Sequence, residues 1–179
     1  MTEKLILPGD KAQSIASMLR VNHAGEYGAV RIYQGQLAFL KSPKFRSLVL
    51  EMKKQEQRHL DYFSSQINKR SLRPSILHPI WHVGGFALGA LSAALGPKYA
   101  FACTVAVEEV ISEHYRKQVQ QIDHSEQELA IKIAEFRDEE LEHQDTAIAN
   151  EAKSAALYDI FTNTVKKICR IAIFLAKKY

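Results

Sequence analysis

Two short stretches set a carboxylate and an imidazole three residues apart, Glu56 with His59 and Glu140 with His143. On a helix that spacing puts both side chains on one face. In each case the face is the apolar one. Phe45, Leu48, Val49, Met52, Leu60, Phe63 and Ile67 recur around the first pair at helical spacing, and Leu129, Ile133, Phe136 and Ala147 around the second. Two further glutamates, Glu26 and Glu108, interrupt the apolar stripes of other segments. Two E-x-x-H matches are unremarkable by themselves in a chain with this many Glu and His, and a lone His or Glu on such a stripe is usually a hydrogen-bonded core or helix-edge residue. Four Glu and two His on four inward faces are a different matter. Burying unpaired carboxylates is costly, and the stripes offer no Lys or Arg to neutralise them. A cation must sit among them. Carboxylates that bridge and imidazoles that terminate suit two divalent metal ions, with open positions left for oxygen chemistry. An O/N donor set without thiolate fits iron or manganese better than copper or a structural zinc.

The elements that must position these residues read as helices. The first runs from about Lys11 to Leu40, with Leu19, His23, Glu26, Val30, Tyr33, Leu37 and Leu40 on one stripe. Pro43, favourable in a first turn, opens the second, which extends to about Arg70. The third, from about Lys98 to Ile122, carries Phe101, Val105, Glu108, Ile111, Tyr115, Val119 and Ile122. The fourth runs from about Ser125 to Asn150, and "SEQE" at its start reads as a capping box. Steps of three and four residues fit helix-on-helix packing. The expected fold is all-α. One Glu from each of two helices with an E-x-x-H from each of the other two is the pattern of ferritin-like four-helix bundles that hold dinuclear carboxylate sites.

The two halves, about 11–70 and 98–150, read as weak repeats of one helical hairpin within a single domain, 1–179. The lone Glu precedes the paired Glu by 30 residues in one half and 32 in the other. Each lone Glu has a Tyr seven residues on, Tyr33 and Tyr115, and each His an Asp two residues on, Asp61 and Asp145. Tyr33 and Tyr115 face the site side, with core packing the plainer role for each. Glu139 lies four before His143 and Gln55 four before His59, so each is placed either to buttress a ligand or to line a solvated face. His23, three before Glu26, is within reach of the same metal, but without a counterpart in the second half it reads as a residue just behind the ligands or at the surface.

Composition bounds the rest. The net charge is +4, and no helix-turn-helix signal, aromatic RNA platform or phosphate loop accompanies it, so nucleic acid is not an expected partner. Cys103 and Cys169 form no C-x-x-C pair. The N-terminal "MTEKLILPGDKAQ" does not read as a secretory signal. Pro74 to Pro97 is a 24-residue run without Lys, Arg, Asp or Glu. Its length would span a bilayer. Pro79, Gly84, Gly85, Gly89 and Gly96, with His78 and His82, favour instead a short apolar crossover helix lying in the membrane interface, with a buried core helix as the alternative. A C-terminal amphipathic helix, about 154–178, carries Leu157, Ile160, Phe161, Val165, Ile168, Ala172 and Leu175 on one face and Lys166, Lys167, Arg170, Lys177 and Lys178 elsewhere.

At this point the residues resemble a known family. "RVNHAGEYGAVRIY", "EQRHLDYF", "HPIWHVGGFALGALSAALG", "ACTVAVEEVISEHY" and "FRDEELEHQD" are together similar to the demethoxyubiquinone hydroxylases of ubiquinone biosynthesis, over Arg20 to Asp145. The resemblance implies metal ligands Glu26, Glu56, His59, Glu108, Glu140 and His143, with Glu56 and Glu140 bridging two Fe ions. It implies an O2-dependent monooxygenase that hydroxylates the ring of a membrane-resident polyprenyl-methoxy-methylbenzoquinone. Electrons would come from an external reductant, NADH directly or through the quinone. The expected setting is peripheral, on the cytoplasmic face of a bacterial inner membrane, with Trp81, Phe86, Leu88 and Leu91 meeting the lipid. A homo-oligomer and a lipid-presenting accessory protein are further expectations. The rival readings are a ferritin-like or bacterioferritin-like iron-oxidising protein, a peroxide-scavenging dinuclear metal protein, and a membrane scaffold with a structural metal. An iron-storage cage would need a polar crossover, and the crossover here is apolar.

Overall fold

A computed structural model describes residues 8–179, with side chains from residue 14 onward. Most of the N-terminal stretch read for a secretory signal lies outside the described residues. The chain forms α1 (Pro8–Phe39), α2 (Pro43–Lys69), α3 (His78–Ala94), α4 (Pro97–Val119), α5 (Gln127–Ala149) and α6 (Tyr158–Lys178), with no strand among the described residues. Short 3-10 turns, His124–Glu126 and Ala152–Ser154, precede α5 and α6. Helices α1, α2, α4 and α5 make the four-helix bundle, α1 pairing with α2 and α4 with α5. Helix α3 lies along α1, and α6 covers α4 and α1.

Local chemistry sets the boundaries. Proline stands in the first turn of α2, α3 and α4, where its missing N–H costs nothing. Gly96, at φ 120°, makes the corner between α3 and α4 in a backbone conformation that side-chain-bearing residues rarely adopt. The capping box read at Ser125–Glu128 does not form. The Asp123 side chain instead accepts from the Ser125 N–H at 3.1 Å, and α5 starts two residues later than expected, at Gln127. Helix α6 also starts later, at Tyr158, because Leu157 is left-handed at φ 53° and Ala155 is extended.

Two apolar clusters flank the middle of the bundle. Tyr33, Leu40, Val49, Met52, Phe101, Val105 and Ala147 pack at one end, and Leu19, Phe63, Ile67, Tyr115, Leu129, Ile133 and Phe136 at the other. The polar residues of interest fall between them in all four helices. Amide side chains tie α1 to α4 on both sides of that gap. Asn22 and Gln118 exchange hydrogen bonds of 2.8 and 2.7 Å, and Gln36 donates to the Ala100 carbonyl at 3.0 Å.

Helix α3 approaches α1 closely enough to need glycine. A Cβ at Gly89 would overlap the Ile32 carbonyl oxygen, and one at Gly85 would lie 2.8 Å from the Gly28 carbonyl. Backbone-to-backbone contact of this kind leaves no flexible group to yield. Gly89→Ala should therefore push α3 off α1 and cost about 1–3 kcal/mol. Thermal denaturation followed by circular dichroism checks this: an unchanged midpoint would show that the contact is looser than described.

Candidate metal centre

The i, i+3 spacing on α2 and α5 turns Glu56/His59 and Glu140/His143 toward one another, and α1 and α4 bring Glu26 and Glu108 in from the facing side. All six are buried. Their donor atoms form two overlapping groups, each within 4.8 Å: Glu26, Glu56, His59 and Glu140 in one, Glu56, Glu108, Glu140 and His143 in the other. Glu56 and Glu140 belong to both. The His59 Nδ1 lies 3.1 Å from Glu140 and 3.6 Å from Glu26, and the His143 Nδ1 lies 3.0 Å from Glu140 and 3.2 Å from Glu56.

These atoms lack partners. Both oxygens of Glu56 and Glu140, one each of Glu26 and Glu108, and both Nδ1 atoms are buried without a hydrogen bond of acceptable geometry. Among the described residues, no Lys or Arg pairs with any of the six. Buried polar atoms left in this state are rare, and each one asks for a ligand. The residues fit two divalent cations, with two shared carboxylates and one carboxylate and one imidazole for each position.

Electrostatics reinforce the reading. Burial pushes the Glu26 and Glu108 carboxyls well above their usual range, and neighbouring carboxylates add to the effect. Burial alone would lower the two imidazoles, but contacts with Glu140 and Glu26 raise His59 to about 12, and contacts with Glu140 and Glu56 raise His143 to about 11. Burial would raise Glu140 as well, yet the two imidazoles bring it down to about 2. Without metal, protons hold the cluster together. With metal, they must leave.

The residues around the six are ordered by direct bonds. Tyr33, on α1, donates to Glu108 Oε1 on α4 at 2.6 Å, and Tyr115, on α4, donates to Glu26 Oε1 on α1. Core packing is thus only part of their role. Burial pushes the Tyr33 hydroxyl pKa well up, so it stays a donor. Glu139 Oε2 lies 3.0 Å from His59 Nε2, and Gln55 Oε1 lies 2.5 Å from His143 Nε2. Each therefore buttresses the imidazole of the other half, a partner opposite to the one its own helix suggests. His23 is buried rather than at the surface and lies apart from the cluster, its ring 6.1 Å from that of His78 on α3.

The four residues expected at a lipid surface separate. Trp81 is half-buried against Val21, Ala24 and Ala176, with its indole N–H on Ser75. Phe86 lies under the Arg31 guanidinium, and Leu88 packs on the core beside Ile32 and Cys103. Only Leu91 is exposed, at 67%. The outward face belongs instead to Ile80, Val83, Leu91 and Leu95, whose steps of three, eight and four residues were legible in the uncharged run. The apolar face of α6 is divided too: Val165 and Phe161 pack inward, while Leu157, Ile160, Ile168 and Phe174 face out. Between α3 and α6, over α1, runs an apolar groove of about 270 Å3 lined by Gly25, Gly28, Trp81, Leu88, Val107 and Ala172 among others. Spacing does not reveal it, because four separate helices, α1, α3, α4 and α6, form it. Gly25 and Val107 are chain neighbours of Glu26 and Glu108.

The chain matches the family described as Ubiquinone biosynthesis protein COQ7 over residues 13–176. It belongs to that family. It is 46% identical over 171 residues to a Dictyostelium discoideum protein named NADPH-dependent 3-demethoxyubiquinone 3-hydroxylase, mitochondrial, covering 94% of this chain and 79% of that one. It is 45% identical over 175 residues to the 3-demethoxyubiquinol 3-hydroxylase of Rhodospirillum rubrum, covering 96% and 82%. The human protein, named as the Dictyostelium one is, is 41% identical over 169 residues, covering 92% and 78%.

Because Glu56 and Glu140 face both positions, losing either should empty both. Wild-type protein is expected to take up two Fe(II) per chain and release protons, whereas Glu56→Ala and Glu140→Ala should retain neither ion. Metal analysis after gel filtration, with circular dichroism to verify folding, decides this. A folded variant that keeps one full equivalent would remove the bridging role.

Proposed function

We propose that this chain is an O2-dependent hydroxylase of the demethoxyubiquinone ring, acting in ubiquinone biosynthesis through a dinuclear iron centre. One observation carries the reading: six buried donors converge with their inner atoms unpartnered, in a chain of this family. When bound, two irons would supply the O2 chemistry that a ring C–H bond demands. The protein's own part is positioning and exclusion. Tyr33 and Tyr115 hold one oxygen each of Glu108 and Glu26, leaving the other oxygen for metal. Glu139 and Gln55 pin the outer ring nitrogens so that both Nδ1 atoms face inward. Phe63 and Phe136 close one end of the site, and Phe136 lies 4.0 Å from the His59 ring.

One oxygen atom enters the ring and the other leaves as water, so electrons must be delivered in each turnover. Neither cysteine is paired with another, and the chain carries no nucleotide-binding fingerprint. The reductant is external. NADH was the expectation from resemblance. The Dictyostelium and human relatives are named NADPH-dependent, and a reduced nicotinamide nucleotide is the reductant proposed for this chain.

The substrate class also accounts for the outer helices. Each CH2 of an isoprenoid tail gains about 0.8 kcal/mol by staying in lipid, so the enzyme must come to the membrane. No described helix is long and apolar enough to cross one. Helices α3 and α6 instead present Ile80, Val83, Leu91, Ile171 and Phe174 on their outer faces, next to the groove. We assign the groove to the tail and these faces to the surface of the membrane, peripherally and, for a bacterial chain, on the cytoplasmic side. Lys166 pairs with Glu109 at 2.6 Å, which leaves Lys167, Lys177 and Lys178 for anionic headgroups. An exposed apolar crossover suits neither a ferritin-like cage nor a soluble peroxide scavenger.

The reaction is tested with iron-loaded protein, a short-tailed demethoxyubiquinone, a reduced nicotinamide nucleotide and 18O2. One labelled oxygen in the ring is expected, and iron or peroxide turnover with an unlabelled ring would support the rival reading. The groove is tested separately. A side chain at Gly25 would enter open space, so Gly25→Leu should fill the groove without disturbing the fold. It is expected to lower kcat/KM on a long-tailed substrate about 10-fold or more, with little change on a tail-less quinone. Equal losses on both would place the tail elsewhere.

A further inference from the structure

The centre is built from matched halves, and one mismatch stands out. Tyr33 on Glu108 is answered by Tyr115 on Glu26, and His59 by His143. The residues holding the outer ring nitrogens are not equivalent. His59 Nε2 faces a carboxylate, Glu139, at 3.0 Å, and His143 Nε2 faces an amide oxygen, Gln55, at 2.5 Å. A carboxylate accepts only, so the neutral His59 that binds metal keeps its proton on Nε2 and turns the Nδ1 lone pair toward the cluster. The Gln55 oxygen imposes the same tautomer on His143. Orientation is therefore matched, while charge is not.

An anionic acceptor draws the N–H proton toward itself and makes the opposite nitrogen a stronger donor. A neutral amide does so much less. The environment widens the difference. Phe136 lies over the His59 ring at 4.0 Å, whereas His143 meets only the edge of Tyr33 at 6.3 Å. Arg58 works against it, reaching Glu139 at 3.0 Å. Its side chain is 59% exposed against 21% for Glu139, so water screens much of its charge.

Resting on the dinuclear reading above, we infer that Glu139 is a positioning residue that makes the two metal positions unequal. The position formed by Glu26, Glu56, His59 and Glu140 binds a divalent ion more tightly and fills first. The position formed by Glu56, Glu108, Glu140 and His143 is the weaker one. The shared bridging carboxylates contribute to both alike and cancel in the comparison.

Single-position variants isolate the effect. In His143→Ala protein only the His59 position keeps its imidazole, and in His59→Ala protein only the His143 position does. Co(II) titration followed by visible absorption should give the first about 10-fold to 100-fold tighter binding than the second. Adding Glu139→Gln to His143→Ala should abolish that advantage. Adding Gln55→Glu to His59→Ala should confer it. The same two substitutions in the otherwise intact chain, which keep both histidines, repeat the test where a His variant fails to fold. There Glu139→Gln should weaken the tighter step, and Gln55→Glu should strengthen the looser one. Two Co(II) bound with constants that neither substitution moves would overturn the inference and leave the dinuclear reading standing. Failure of the wild-type chain to bind Co(II) at all would overturn both.

Discussion

Four carboxylates buried around two imidazoles, with no Lys or Arg among them, are the constraint that organises this molecule. Carboxylates this close repel one another, and burial removes the water that would screen them. The chain accommodates them through protons on two imidazoles whose pKa values rise to about 12 and 11, or through metal ions in their place. Either way the cluster demands cations. That demand explains why an otherwise ordinary helical bundle carries charged residues on its inward stripes.

The remainder of the bundle serves to hold this arrangement in register. Apolar clusters at both ends supply the packing energy that the middle cannot. The tyrosine hydroxyls cross from α1 to α4 and back, so the two helical hairpins are tied through the buried carboxylates themselves. The outer nitrogens of both histidines are likewise held from the opposite hairpin. Each half thus completes the site of the other. Neither hairpin alone presents a full set of donors.

Helices α3 and α6 answer a different demand. Close packing of α3 on α1 uses glycine where backbones meet, which frees the other side of the helix for apolar residues that face outward. A surface of this kind, with Val83 at 66% and Phe174 at 64% exposure, is unfavourable in water and favourable against lipid. The groove between α3 and α6 links that surface to the turns of α1 and α4 that bear Glu26 and Glu108. The outward apolar surface on α3 and α6 and the buried carboxylates on α1 and α4 therefore lie on either side of one groove.

The amino-acid sequence by itself determined the helices of the bundle and the six Glu and His side chains that turn inward, because both follow from a period of 3.6 residues. A Glu three before a His on an apolar stripe must face inward wherever the helix packs. The family was equally legible, carried by motifs from Arg20 to Asp145. Partnerships across helices were not. Spacing placed Glu139 near His143 and Gln55 near His59, yet each reaches the other imidazole, since a helix face says nothing of which helix lies opposite. Trp81 and Leu88 read as outward because their stretch has no charge to mark the buried side, and only the approach of α3 to α1 turned them inward. The groove exists solely as a space among α1, α3, α4 and α6, and the tertiary structure alone could decide it.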